Sequence, residues 1–151
     1  MGTLAHATRF GDLVVYQKAR RVTDRIFELT KAFPKEETYS LTDQVRRCSR
    51  SIGAQIAEAW GKRRYARHFV SKLTDADAEQ LETQHWILVA FSCSYLTCEQ
   101  EQALLDDLAE IGRMLHSMIQ KADLFCGGPT GVVREDAAPY ISIADSRFTD
   151  H

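Results

Sequence analysis

The chain has 151 residues, 44% apolar and 26% charged, with a formal net charge of −2. That size and composition suit one soluble domain with a sizeable core. The longest apolar run, Trp86 to Phe91, is six residues and far too short to cross a membrane.

Residues 1–10 read as a flexible leader with no apolar segment of the secretory kind. Asp12 then offers a first-turn carboxylate, and Val15, Ala19, Val22, Ile26, Leu29 and Phe33 follow at alternating spacings of four and three. That is one face of an amphipathic helix, which Pro34 should end. The connector Lys35–Ser40 is short and polar. Ser40 and Asp43 predict a capping box for helix two, with Asp in place of the usual Glu.

Helix two is expected to run to about Trp60. Val45, Cys48, Ile52, Ile56 and Ala59 form its apolar line, and Gln44, Arg47, Ser51, Gln55 and Glu58 form a polar line beside it. Gly61 is its stop signal. Helix three should extend from Tyr65 or Ala66 to about Cys93 and be the longest, since no Gly or Pro interrupts it. Its line is Phe69, Leu73, Ala76, Gln80, Thr83, Ile87 and Ala90, which Leu81, Leu88 and Phe91 are expected to thicken.

Thr97 and Gln100 match a capping box for helix four. That helix carries Leu104, Leu108, Ile111, Leu115, Met118 and Ala122, flanked by Leu105 and Ile119, and stops at Gly127-Gly128-Pro129. Residues 127–151 have no helical period and read as an irregular or disordered tail, with Tyr140, Ile141 and Ile143 as the apolar cluster. Four long amphipathic helices on short connections predict an all-α, antiparallel up-down-up-down four-helix bundle over residues 11–126.

Charge is distributed unevenly. Val45–Lys72 holds eight Lys or Arg against one Glu, whereas Leu73–Gly112 holds nine Asp or Glu and no Lys or Arg. The basic block is Arg46, Arg47, Arg50, Lys62, Arg63, Arg64 and Arg67. Such a block can neutralise phosphates. It can equally meet acid on a neighbouring copy, because a head-to-tail ring joins two different surfaces at each contact. The net acidity favours the second reading. The polar line Gln44, Arg47, Ser51, Gln55 and Glu58 is expected to be a hydrogen-bonded register network. Arg47 and Glu58 lie about three turns apart, so each needs a partner elsewhere.

Two chemical readings are weaker. Glu82 and His85 form one Glu-x-x-His pair, an element that di-iron bundles use twice, and no second copy occurs. Glu28, Glu58 and Glu110 lie on the other helices, with Glu28 and Glu110 at positions expected to face solvent. Cys48, Cys93, Cys98 and Cys126 are expected as bystander free thiols in a reducing compartment, the cytoplasm. No phosphate-binding loop, dinucleotide fingerprint or zinc-protease motif occurs. No catalytic residue, metal or cofactor is expected.

Helix two and its surroundings resemble a known family. Phe10, Leu13, Val15, Tyr16 and Ala19 fit its opening pattern, and Phe33, Pro34, Glu37 and Tyr39 fit the end of its first helix. Leu41, Thr42, Gln44, Arg46, Arg47, Ser51, Ile52, Ile56, Ala57, Glu58 and Gly61 fit its second. The family is that of the four-helix-bundle intervening-sequence proteins found within large-subunit ribosomal RNA genes, together with the accessory protein of diversity-generating retroelements. Gln55 stands where the family has Asn, Ala59 where it has Gly, and Asp75–Ala78 where a Gly-Ser pair is usual, which marks a divergent branch.

The resemblance implies a left-handed four-helix bundle that assembles as a homopentamer and has no known enzymatic activity. For the retroelement member it also implies binding of RNA or DNA, and of a reverse transcriptase, through a basic surface. The first expectation is therefore a self-assembling scaffold or adaptor. The second is a nucleic-acid-binding accessory protein.

Overall fold

The computed structural model describes residues 6–126. The tail reading over 127–151 and the first five residues of the leader lie outside the described residues. The described end of the leader is packed: Ala7 is buried, and the Thr8 and Arg9 backbone amides and the Thr8 hydroxyl donate to one Asp12 carboxylate oxygen at 3.0–3.2 Å. Those donors, the Thr8 amide above all, hold the Asp12 carboxyl below its ordinary pKa of 3.8.

A 3-10 turn at Phe10–Asp12 leads into α1, Val14–Thr30. This helix ends short of Pro34. The amides of Lys31, Ala32 and Phe33 bond the carbonyls three residues back, so the last turn tightens instead of continuing. The other helices are α2 Leu41–Gly61, α3 Ala66–Ser92 and α4 Cys98–Gln120, with a single-turn α5 at Ala122–Phe125. At 27 residues α3 is the longest, about 40 Å at 1.5 Å per residue.

The caps divide on what the local sequence allows. Thr97 and Gln100 form the expected box, each side chain taking the other's backbone amide at 2.9–3.1 Å. Ser40 makes no side-chain cap. The start of α2 is instead capped from the preceding 3-10 turn, where Glu37 Oε2 accepts the Leu41 amide at 3.2 Å. A carboxylate there suits the positive end of the helix dipole. The other oxygen of Glu37 accepts the Tyr95 hydroxyl at 3.1 Å, which ties the α1–α2 connector to the α3–α4 corner.

The core is the set of apolar lines laid side by side. All seven line residues of α3, from Phe69 to Ala90, are buried, as are Leu104, Leu108, Ile111, Leu115, Met118 and Ala122. α2 packs against α1 and α3, and α4 packs against α3 and α1, which makes an antiparallel square. At one end of the square α5 seals the base of α3, with Phe125 stacked on Phe69 at 5.6 Å between ring centroids. The α1–α4 edge is closed by Lys18 Nζ on Glu110 Oε2 at 2.6 Å, so Glu110 is a paired, half-buried carboxylate and not the solvent-facing residue its sequence position suggests.

Leu81, Leu88 and Phe91 do not thicken the core. They are 55%, 48% and 39% exposed. They recur at steps of seven and three, so they share a face. That face is turned away from Phe69, Leu73, Ala76 and Ile87.

Candidate functional site

The basic block is one run in sequence but two clusters in space. Arg46 and Lys62 lie sixteen residues apart on and just past α2, about 24 Å along its axis. Arg46 and Arg50 turn toward α1, where they meet Phe27, an aromatic that follows the buried Ile26 and is out of phase with the apolar line. Arg46 stands 4.7 Å from the ring centroid, Lys31 4.8 Å and Arg50 5.7 Å. Cations are drawn to the negative face of an aromatic ring. Thr30 fixes Arg46 by accepting its Nε–H at 2.8 Å. Lys31 is shared with Glu28 at 2.9 Å, while Arg46 and Arg50 have no carboxylate within 4 Å among the described residues.

The second cluster is the α2–α3 corner. Arg63 stacks on Trp60 at 3.4 Å and donates Nε–H to the Trp60 carbonyl at 2.8 Å, and Arg64 stands 5.7 Å from the Tyr65 ring. Lys62, Arg64 and Arg67 are exposed. Arg47 belongs to neither group; it points to solvent with Asp43 at 3.8 Å.

The polar line of α2 is likewise divided. Gln44 is exposed, and Ser51 bonds its own helix at the Arg47 carbonyl, 3.0 Å away. Gln55 and Glu58 do find a partner on another helix: Lys72 of α3 reaches Glu58 Oε2 at 2.6 Å and Gln55 Oε1 at 3.3 Å. The register contact therefore lies in the last two turns of α2. Lys72, at the edge of the basic block, carries it.

Between α1 and α2 lies an open groove of about 410 Å³. Tyr16, Gly53, Ala54 and Ala57 line it, and Arg20 and Arg50 stand beside them. Phe10 supports Tyr16 edge-on at 5.0 Å, and Arg20 donates to the Tyr16 hydroxyl at 3.3 Å. Small residues on one side of α2 keep the groove open, and Gly53 leaves the Tyr16 ring in ordinary contact range of where a Cβ would stand, 3.5 Å.

The residues of the α2 motif thus have separate places: Ile52 and Ile56 in the core, Gly53 and Ala57 at the groove, Glu58 on α3. The sequence profile of the 23S rRNA-intervening sequence protein family matches residues 11–117, which take in α1 to α3 and most of α4. The chain belongs to that family. A crystal structure of a protein of unknown function from the S23 ribosomal protein family of Bacteroides thetaiotaomicron is similar at 33% identity and a TM-score of 0.65. The similarity covers 72% of this chain and 97% of that one. Among curated proteins none matches. The family and this neighbour support the all-helical bundle, and the neighbour is of unknown function.

For this member of the intervening-sequence protein family, the Glu82–His85 pair does not gather ligands. Glu82 accepts the Trp86 indole N–H at 3.3 Å, and the His85 ring packs edge-on against Trp86 at 4.8 Å. Among the described residues no group of three or more His, Cys, Asp or Glu could hold a metal ion. Cys48 is buried, with the Thr83 hydroxyl 3.2 Å from its sulfur, and burial pushes its pKa up to about 11. Burial also raises Cys126. Neither environment favours a reactive thiolate. Among the described residues no helix is long and apolar enough to cross a membrane.

The sequence reading missed Phe27, Lys31, Lys72 and the groove. Phe27 carries a signal, since it is an aromatic one residue out of phase on a strictly periodic helix. The groove carries none, because its floor residues come from two helices.

Proposed function

We propose that this chain is a non-enzymatic, self-assembling helical-bundle scaffold or adaptor of the cytoplasm, built as a homopentamer. The observation that carries the reading is the exposed line Leu81, Leu88 and Phe91 on α3. Three large apolar side chains at helical spacing on one outer face are costly to leave in water and are what a subunit contact would bury. The number five rests on the family resemblance, and the compartment on four free cysteines. Size-exclusion chromatography with light scattering tests the assembly. The expected mass is about five times the 17.1 kDa of the chain. A monomer at micromolar concentration overturns it.

A second reading, nucleic-acid binding, is favoured by Phe27 with its three surrounding cations. An exposed ring can stack a base while Arg46, Arg50 and Lys31 take the phosphates. Filter binding of single-stranded RNA and DNA at two salt concentrations tests it. Binding should weaken with salt and fall at least tenfold in Phe27→Ala. No binding at low salt removes it.

A further inference from the structure

The bundle is electrically polarised from end to end. Its foot is made by the start of α1, the end of α2, the start of α3 and the end of α4 with α5. Residues 6–17, 58–69 and 117–126, which form that foot, hold six Lys or Arg against three Asp or Glu. The six are Arg9, Lys62, Arg63, Arg64, Arg67 and Lys121. Residues 27–44 and 89–101, which form the opposite end, hold two Lys against six Asp or Glu. Two apolar side chains stand exposed among the cations of the foot, Tyr65 at 55% and Leu124 at 48%. They belong to one patch. Phe125, next to Leu124, stacks on Phe69 at 5.6 Å, and the Phe69 amide bonds the Tyr65 carbonyl at 3.1 Å. The Tyr65 ring stands 5.7 Å from Arg64 and 5.4 Å from the His68 ring. Arg63, stacked on Trp60, comes close enough to Cys126 to offset part of the rise in that thiol's pKa.

We infer that the foot of the bundle is a docking surface for an anionic lipid bilayer, with Tyr65 and Leu124 entering the headgroup layer and Lys62, Arg64 and Arg67 meeting the phosphates. This stands apart from the assembly reading. Charge complementarity selects a polyanion, since each basic residue close to an anionic surface contributes roughly fivefold in affinity. The net charge of −2 does not oppose it. The acidic end lies about 40 Å away along the 27 residues of α3, several times the screening length of about 8 Å at physiological salt. The apolar pair selects lipid over nucleic acid. A phosphate backbone asks for cations and a nucleobase for an aromatic face, and the aliphatic Leu124 answers neither. At a bilayer the same side chain leaves water for the acyl boundary, and Tyr65 suits the interface with its apolar ring and polar hydroxyl.

Co-sedimentation of the full chain with vesicles of phosphatidylcholine, with and without phosphatidylglycerol, tests this. Wild type should pellet with the mixed vesicles and stay in solution with phosphatidylcholine alone, and salt should weaken the binding. Arg64→Glu/Arg67→Glu should lose roughly tenfold or more in affinity. Tyr65→Ser/Leu124→Ser keeps every charge and should lose about fivefold. Arg25→Glu/Lys35→Glu makes the same charge change at exposed positions away from the foot and should stay within about twofold of wild type. Circular dichroism checks that each variant stays helical, and the single variants Arg64→Gln and Arg67→Gln read the same direction if the charge reversal unfolds. A wild-type chain that ignores phosphatidylglycerol overturns the inference. An equal loss in the Arg25/Lys35 variant does so too, because net charge and not the foot then sets the binding. A Tyr65/Leu124 variant that binds like wild type overturns the lipid assignment. Single-stranded RNA held through Arg64 and Arg67, with no binding to vesicles, makes the foot a nucleic-acid face instead. None of these results moves the oligomeric mass, so the assembly reading stands or falls separately.

Discussion

Lys72 and Glu58 meet at 2.6 Å across the seam between α2 and α3, and the same ammonium reaches Gln55 at 3.3 Å. The contact joins the end of α2 to the first two turns of α3. The hydrogen bond from Lys72 holds the Glu58 carboxyl below its ordinary 4.5, and Glu58 in return holds Lys72 above 10.5. A carboxyl depressed in the folded state adds stability above its unfolded pKa and loses it as pH falls through the folded one. The raised lysine keeps its share below 10.5 and loses it as pH rises past the folded value. Lys72→Met should therefore lower the urea midpoint at about pH 7 and approach wild type once the pH falls below the folded-state pKa of Glu58. Salt should shrink the neutral-pH difference, because both groups border water. An offset that is the same at both pH values would assign the effect to packing.

Gly112 is required by a neighbour and not by its backbone. A Cβ there would lie 2.9 Å from Gln80 Nε2 and 3.4 Å from Asp77 Oδ1. Gln80 is only 4% exposed and is held by Asp77 and Gln84, so it has little room to retreat. Overpacking costs about 1–3 kcal/mol, against a gain of roughly 1 from replacing glycine inside a helix. Gly112→Ala should thus lose about 1 kcal/mol net by urea unfolding. A net gain would show that the ladder yields freely.

Ser94 closes α3 with φ at 63°, in the left-handed region that favours glycine. Its amide bonds the Phe91 carbonyl at 2.9 Å, and the Tyr95 amide bonds the Ala90 carbonyl at 3.0 Å, the pair that defines a Schellman motif. Ser94→Gly should raise stability by roughly 0.5 kcal/mol, the relieved strain less the greater freedom of the unfolded chain. Ser94→Val should lower it. Thermal or urea midpoints of the two variants decide the sign.

The four cysteines should separate by reactivity. Cys93 and Cys98 are exposed; Cys48 and Cys126 are buried with raised pKa values. A thiol reagent at about pH 8 should label Cys93 and Cys98 in the folded protein and reach the other pair only with denaturant. Mass spectrometry of labelled peptides reads the result directly. Fast labelling of Cys48 would mean that α2 and α3 part easily near Thr83.

How far the sequence carried can be judged residue by residue. The 3.6-residue period identified every buried line position of α3 and α4, because a helix must turn its apolar stripe to the core whatever its neighbours are. The Thr97–Gln100 cap was equally legible, since both partners lie within one turn. The Ser40 cap was not: Ser40 makes no side-chain cap, and the acceptor at the start of α2 is Glu37, from outside the helix.

What only the tertiary structure decided are relations between helices. Periodicity does not say how wide a buried stripe is, so Leu81, Leu88 and Phe91 looked like core until the square of helices left that flank uncovered. Charge counting joined Arg46 to Arg67 in one block, and the 1.5 Å rise of α2 separates them into two clusters. The partner of Glu58 is fourteen residues away in sequence and 2.6 Å away in space. The sequence by itself determined the helices and their inward faces, which depend on local geometry and hydrophobicity. The outer faces, the groove and the ion pairs between helices required the packing, because which side chains stay outside and which meet is set by the relative placement of helices, which no single helix specifies.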